Sequence, residues 1–121
     1  MKTILTVDDA STMRKLIAFT LGGVGHQVIE AEDGTVALAT LQKSPVDLII
    51  SDLNMPRMNG LELTRKIRAL PQCAKTPILI VTTESEANVK AQARQAGATG
   101  WIVKPFEPAQ LLAVVNRVLG T

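Results

Sequence analysis

A three-layer α/β fold, a doubly wound parallel sheet with helices on both faces, is what the sequence predicts. Three observations predict it: five short apolar, β-branched runs, a helical apolar stripe after each of them, and turn or cap residues at the junctions. A strand that must return parallel to its predecessor needs a crossover, and a helix supplies it with right-handed sense.

The first run, "TILTV" at 3–7, leads into Asp8 and Asp9 and then into Met13, Leu16, Ile17 and Leu21, spaced as one buried helical stripe. Ser11 is expected to cap that helix and Gly22 to end it. "QVIEA" at 27–31 alternates and suits an edge strand, and Ala37, Leu38 and Leu41 form the second stripe. "LIIS" at 48–51 runs without alternation into Asp52, as expected of a strand covered on both faces, and Leu63, Ile67 and Leu70 follow as the third stripe. "ILIVT" at 78–82 precedes a fourth helix over about 86–96. Its stripe is mostly alanine, Ala87, Ala91, Ala93 and Ala96 with Val89, so its packing is expected to be weak before Gly97 ends it. "WIVK" at 101–104, also without alternation, leads to the last helix, where Pro108 suits the first turn and Leu111, Leu112, Val115, Val118 and Leu119 form the stripe.

The 121 residues, 46% hydrophobic and 20% charged, suit one domain with one core and argue against disorder. No apolar run approaches the roughly 20 residues of a membrane span, and the start, "MKTILTVDD", meets acids too early for a secretory signal, so a cytoplasmic protein is expected. Cys73 is alone, which excludes an internal disulfide. The formal charge of +2 is scattered and makes no case for nucleic acid. His26 has no clustered metal-ligand partner in sequence and reads as an exposed loop residue, while Met55 and Met58 read as local packing around a turn.

Chemistry is expected at the carboxyl ends of the strands. There the chain places Asp8 and Asp9 after the first strand, Asp52 after the third, Thr82 and Thr83 at the fourth and Lys104 at the fifth. Each has an ordinary explanation as a cap, turn or surface residue; none of these explains why one edge collects them all. Two carboxylates 4 Å apart repel by about 4 kcal/mol at an effective dielectric near 20. A divalent cation with oxygen ligands, Mg²⁺ above all, offsets this while leaving room for a phosphate. Lys104 and the Thr82 hydroxyl then suit phosphoryl oxygens, and Asp52, central among the strand ends, is the best placed nucleophile for an aspartyl phosphate. The "LNMP" after it turns the backbone so that a carbonyl can help hold the metal.

The set "VDDASTMRK", "AEDG", "SDLNMPRMNGLEL", "VTTE" and "AGATGWIVKPF" covers nearly the whole chain and closely resembles the CheY-like receiver domains of two-component response regulators, single-domain chemotaxis regulators in particular. The strand order 2-1-3-4-5 of this flavodoxin-like fold, that of flavodoxin and CheY, comes with the resemblance and not from the hydrophobic pattern. The resemblance implies one receiver domain over 1–121, with Asp52 as phosphoacceptor. Asp9, Asp52 and the Asn54 backbone carbonyl would bind Mg²⁺ directly and Asp8 through water, with Thr82 and Lys104 on the phosphoryl group and a cis peptide between Lys104 and Pro105. It implies a sensor histidine kinase or small acyl phosphates as donors, self-catalysed phosphorylation and dephosphorylation without action on a separate substrate, and a lifetime set by Asn54 and Glu84, expected to be short. It further implies a switch in which Thr82 and then the aromatic at Trp101 move, remodelling the face of the fourth helix, fifth strand and fifth helix. The family usually carries tyrosine, phenylalanine or histidine at that position, and the bulk of Trp101 opposes the inward swing.

Because the chain ends with the fifth helix, output is expected through a protein contact made by a monomer. A flagellar motor switch component is the partner the chemotaxis likeness implies; a twitching-motility or phosphorelay partner is the alternative. Three rivals are weaker. An FMN carrier would set Asp8 and Asp9 against the cofactor phosphate. An aspartate-nucleophile phosphatase would carry a second aspartate where Asn54 stands, and a pure docking module would not need these groups.

Overall fold

Strands β1 Thr3–Val7, β2 Gln27–Ala31, β3 Leu48–Asp52, β4 Ile78–Thr82 and β5 Gly100–Val103 alternate with helices α1 Ser11–Gly22, α2 Gly34–Lys43, α3 Gly60–Arg68, α4 Ala87–Ala96 and α5 Pro108–Leu119. A 3-10 turn, Pro71–Cys73, precedes β4. These elements come from a computed structural model that describes residues 2–83 and 87–120. The sheet is parallel throughout, in the order β2-β1-β3-β4-β5.

β1 is the second strand from one edge, with β2 on one side and β3 on the other, so the winding reverses there and a crevice opens between the carboxyl ends of β1 and β3. Register fixes what stands in it. Val7 pairs with Ser51, so Asp8 and Asp52 follow one step beyond on adjacent strands.

Both sheet faces are covered. Ile4, Ile50 and Val81 pack with Ile17 and Leu21 of α1 and Leu111 and Val115 of α5. Leu5, Ile49 and Ile80 pack with Leu41 of α2, Leu63 and Ile67 of α3 and Ala93 of α4. Each fully buried aliphatic side chain contributes roughly 1.5–3 kcal/mol. β3 and β4 are buried at every position, which is why their sequences do not alternate. The edge strand β2 is the expected alternating run, half exposed.

Several local expectations are corrected. Ser11 is the first helical residue, not the cap; Ala10 holds that place without a side-chain bond. Leu16 is 40% exposed because it lies about 100° around the helix from Ile17, and the stripe that packs is buried Ile17 and Leu21 with half-buried Met13, at spacings of four. Leu70 falls beyond α3 yet packs on the same core from the loop. In α4 only Ala93 and Ala96 are buried, while Ala87 and Ala91 face out; residue 86, expected in this helix, lies outside the described residues. β3 extends through Asp52, and β5 ends at Val103, one residue short of Lys104. β5 is an edge strand and only Ile102 in it is buried, so its unbroken apolar run does not mark full cover. Among the described residues no helix is long and apolar enough to cross a membrane.

α3 begins hard against the end of β3. Asn59 and Glu62 form a reciprocal capping box, and Gly60 lets the helix approach: a Cβ there would stand 2.5 Å from the Asp52 carbonyl oxygen. The helix start thus fixes the backbone that carries Asp52.

Candidate functional site

The crevice gathers carboxylates from two strands. One oxygen each of Asp8, Asp9 and Asp52 lies within 4.8 Å of the others. Asp8 is 2% exposed and Asp52 7%, while Asp9 is exposed at the rim. Four contacts hold Asp8: its N–H donates to the Ala31 carbonyl at 3.1 Å, its Oδ1 accepts from Ala10 N–H at 2.8 Å, its carbonyl accepts from Arg14 Nη1 at 2.6 Å, and its Oδ2 lies 3.6 Å from Lys104 Nζ. Burial pushes the Asp8 carboxyl above the usual carboxylate range, opposed by the Ala10 N–H and reinforced by the charge on Asp52.

Lys104 reaches in from the loop after β5. Its Nζ donates to Asp52 Oδ1 at 2.9 Å, so a single ammonium serves two carboxylates on neighbouring strands. Its backbone N–H donates to the Thr82 carbonyl at 2.7 Å, tying the ends of β4 and β5, and the Lys104–Pro105 bond is cis. Thr82 is buried at 2% exposure, whereas Thr83 faces solvent. Asn54 stands exposed two residues past Asp52. Glu84 lies outside the described residues.

All three cluster ligands are carboxylate oxygens, with no thiolate or imidazole among them, which is the donor chemistry of a hard divalent cation. One ammonium facing three acids leaves the cleft short of positive charge, and a cation of that class fits it.

Trp101 sits half-buried on β5, paired in register with Ile80 and packed on the α2–α4 side of the sheet. Two cations of α4 lie over its ring, Lys90 Nζ at 5.1 Å and Arg94 Cζ at 5.5 Å from the centroid. His26 is half-buried, not exposed, because its Nδ1 accepts the Lys2 N–H at 3.2 Å. Met55 is buried and Met58 packs against the same core, its sulfur beside Gly34. Cys73 is buried, and burial pushes its thiol up, away from the reactive thiolate.

Two residues near the site carried no assignment from sequence. Arg14 fixes the Asp8 carbonyl while its Nε lies 3.4 Å from Glu30, which Lys15 also reaches at 3.1 Å. Arg57 follows Pro56 with a φ of +71°. Neither was legible, since one acts on a backbone carbonyl and the other is marked only by its conformation.

Over residues 4–116 the chain matches the sequence profile of the response regulator receiver domain. It belongs to that family. The receiver's similarity extends to a chemotaxis protein CheY homolog of Campylobacter jejuni subsp. jejuni, 47% identical over 98% of this chain and 92% of the relative. Among solved structures, Vibrio cholerae chemotaxis protein CheY4 superposes with a TM-score of 0.95 at 45% identity, covering 98% of each chain. The receiver domain of the sensor histidine kinase PA1611 from Pseudomonas aeruginosa PAO1, described with a magnesium ion coordinated in its active site cleft, superposes at 0.90 with 28% identity over 99% of this chain and 98% of that one. The receiver is therefore a CheY-type domain of two-component signalling with the flavodoxin-like order 2-1-3-4-5.

Proposed function

We propose that residues 1–121 form one receiver domain that takes a phosphoryl group from a sensor histidine kinase onto Asp52 and passes the signal through a protein contact in chemotaxis or motility control. The observation that carries this reading is the acidic cluster at the carboxyl ends of β1 and β3 with the Lys104 ammonium 2.9 Å from Asp52 Oδ1.

Asp52 attacks phosphorus from a rigid, buried strand. A bond forms between its Oδ and phosphorus, the P–N bond of the donor phosphohistidine breaks, and the bonding pair leaves with the imidazole nitrogen. Lys104 Nζ exchanges its Asp52 contact for a phosphoryl oxygen, and the Thr82 hydroxyl donates to another. Asp9, Asp52 and the Asn54 backbone carbonyl would hold Mg²⁺ directly, with Asp8 behind a water. When bound, Mg²⁺ supplies the positive charge that lets these carboxylates and a phosphoryl group share one cleft. The chain in this reading catalyses only its own phosphorylation and dephosphorylation. Asn54 and Glu84 set a short lifetime, against which a mark persisting for many hours at neutral pH with Mg²⁺ would count.

Thr82 and Trp101 carry the change outward to the face of α4, β5 and α5, where a flagellar motor switch component is the partner we favour. The chemotaxis names of its similar relatives support that choice over a phosphorelay role.

Intact mass after incubation with acetyl phosphate and Mg²⁺ tests the core of the proposal. A single phosphate adduct is expected, lost in Asp52→Asn and lost with a chelator; an adduct that survives in Asp52→Asn overturns it.

A further inference from the structure

A groove of about 360 Å³ opens beside the carboxylate cleft, lined by Asp9, Glu32, Asp33, Pro56 and Arg57. Asp9 belongs to both, one of the three clustered acids and a wall of the groove, so the two spaces adjoin. Arg57 is the sole cation among the lining residues, and its side chain is exposed. Its backbone is held at a φ of +71° by a γ-turn closed from Met58 N–H to the Pro56 carbonyl at 2.8 Å, a conformation that side-chain-bearing residues rarely adopt.

Arg57 shares the groove with three acids, yet among the described residues it forms no ion pair with any of them. Asp33 is engaged elsewhere, its Oδ1 accepting Val36 N–H at the start of α2. Among the described residues a guanidinium with five N–H donors thus stands uncommitted at the rim of a cleft built for an anionic reactant.

The direction of the chemistry says what would meet it. In phosphoryl transfer the entering and leaving atoms lie roughly in line, so the leaving group departs on the side away from Asp52. Asp52 is buried and Asp9 stands exposed at the rim, where the groove begins, so a leaving group that departs toward solvent past Asp9 meets the groove. We propose that the groove receives the leaving group of the phosphodonor and that Arg57 selects donors whose leaving group departs as a carboxylate. The proposal rests on the reading of Asp52 as phosphoacceptor.

With an acyl phosphate, Asp52 Oδ bonds to phosphorus, the P–O bond to the acyl group breaks, and the pair stays on the acyl oxygen, which leaves as a carboxylate. Negative charge develops where Glu32 and Asp33 would repel it unless Arg57 meets it. With N-protonated phosphoramidate the P–N bond breaks and the pair stays on nitrogen, which leaves as neutral ammonia. The guanidinium offers that group nothing.

The test compares donors within one protein. Initial rates of adduct formation, read by intact mass with Mg²⁺ present, are measured with acetyl phosphate and with phosphoramidate for the wild type, Arg57→Gln and Arg57→Lys, and Mg²⁺ affinity is measured separately by calorimetry. Arg57→Gln should slow acetyl phosphate about fivefold and phosphoramidate by less than about twofold, with Arg57→Lys in between, as expected for one charge-assisted contact at an exposed site. Mg²⁺ affinity should not fall, since removing a cation beside Asp9 does not disfavour a second one. Equal slowing with both donors, as a folding or metal defect would produce, or an unchanged donor ratio, overturns the role of Arg57. No adduct in the wild type from either donor overturns the phosphoacceptor reading, and this inference with it.

Discussion

Asp8 keeps a carboxylate at 2% exposure with Lys104 Nζ no nearer than 3.6 Å, because that ammonium lies closer to Asp52. Burial raises its pKa, so the folded chain binds a proton here that the unfolded chain has already released. The sign follows: without metal, Asp8 opposes folding above its folded pKa, and the penalty is relieved as pH falls through the window between the ordinary carboxylate value and that raised one. Asp8→Asn should therefore unfold at a higher denaturant midpoint than the wild type near neutral pH in chelator, with the difference shrinking on acidification through that window. The same substitution should weaken Mg²⁺ binding by roughly 10–100-fold, the range for residues that support a metal through its outer contacts. Calorimetry and chelator-treated unfolding curves measure both. A variant no more stable than the wild type without metal would mean that the Ala10 N–H and Lys104 already compensate the buried charge.

Arg68 joins three elements through backbone oxygens. Its Nε donates to the Gly97 carbonyl at 2.9 Å, and its Nη1 to the carbonyls of Cys73 at 2.8 Å and Thr76 at 2.6 Å, tying the end of α3 to the turns before β4 and β5. Hydrogen bonds from a charged donor are worth about 1.5–3 kcal/mol each, but these three are only part-buried and water replaces much of what truncation removes, so Arg68→Ala should cost about 3 kcal/mol in urea unfolding, less than their sum. Gly97 meets the same side chain: its φ is +109°, and a Cβ would stand 2.8 Å from Arg68 Cγ. Gly97→Ala should destabilise by backbone strain plus that clash, and in an Arg68→Ala background only the strain, about 1–2 kcal/mol, should remain. Simple additivity of the two substitutions would refute the contact. No pattern in the sequence announces this tie, because its partners are carbonyls 5, 8 and 29 residues away. What the chain does announce is periodic: β3 and β4 were legible because both their faces are buried, and the acids and Lys104 because each stands at a strand end. Leu16 and the outward alanines of α4 were not, since spacing alone does not say which side of a helix meets the sheet, and Ser11 was not because a helix begins one residue to either side of its cap signal.

Across the whole molecule Thr82, buried at the end of β4, stands between the carboxyl-end crevice and the α4–β5 face. Thr82 lies two residues beyond Ile80 on β4 and so points to the same side, and Ile80 pairs with Trp101 on β5. Lys90 and Arg94 cover the Trp101 ring from α4, each contact worth about 0.5–1 kcal/mol at such a site. In the switch proposed above, a displacement of Thr82 toward a phosphoryl group would open space on the side where Trp101 packs, while the two cations hold the ring under α4; the clamp would then bias the equilibrium toward the unphosphorylated arrangement. Trp101 is the only tryptophan, so its emission reports the arrangement directly. Acetyl phosphate with Mg²⁺ should shift that emission in the wild type and not in Asp52→Asn. Lys90→Gln with Arg94→Gln should raise quenching of Trp101 by acrylamide before phosphorylation and enlarge the fraction that switches, without lowering the yield of adduct by mass. Coupling is reciprocal, so a partner that prefers the phosphorylated face must in turn favour phosphorylation, and loosening the clamp should tighten that partner in proportion to the rise in the switched fraction. Emission indifferent to the phosphoryl group, alongside a full adduct, would disconnect Trp101 from the site and leave α4 to respond by another route.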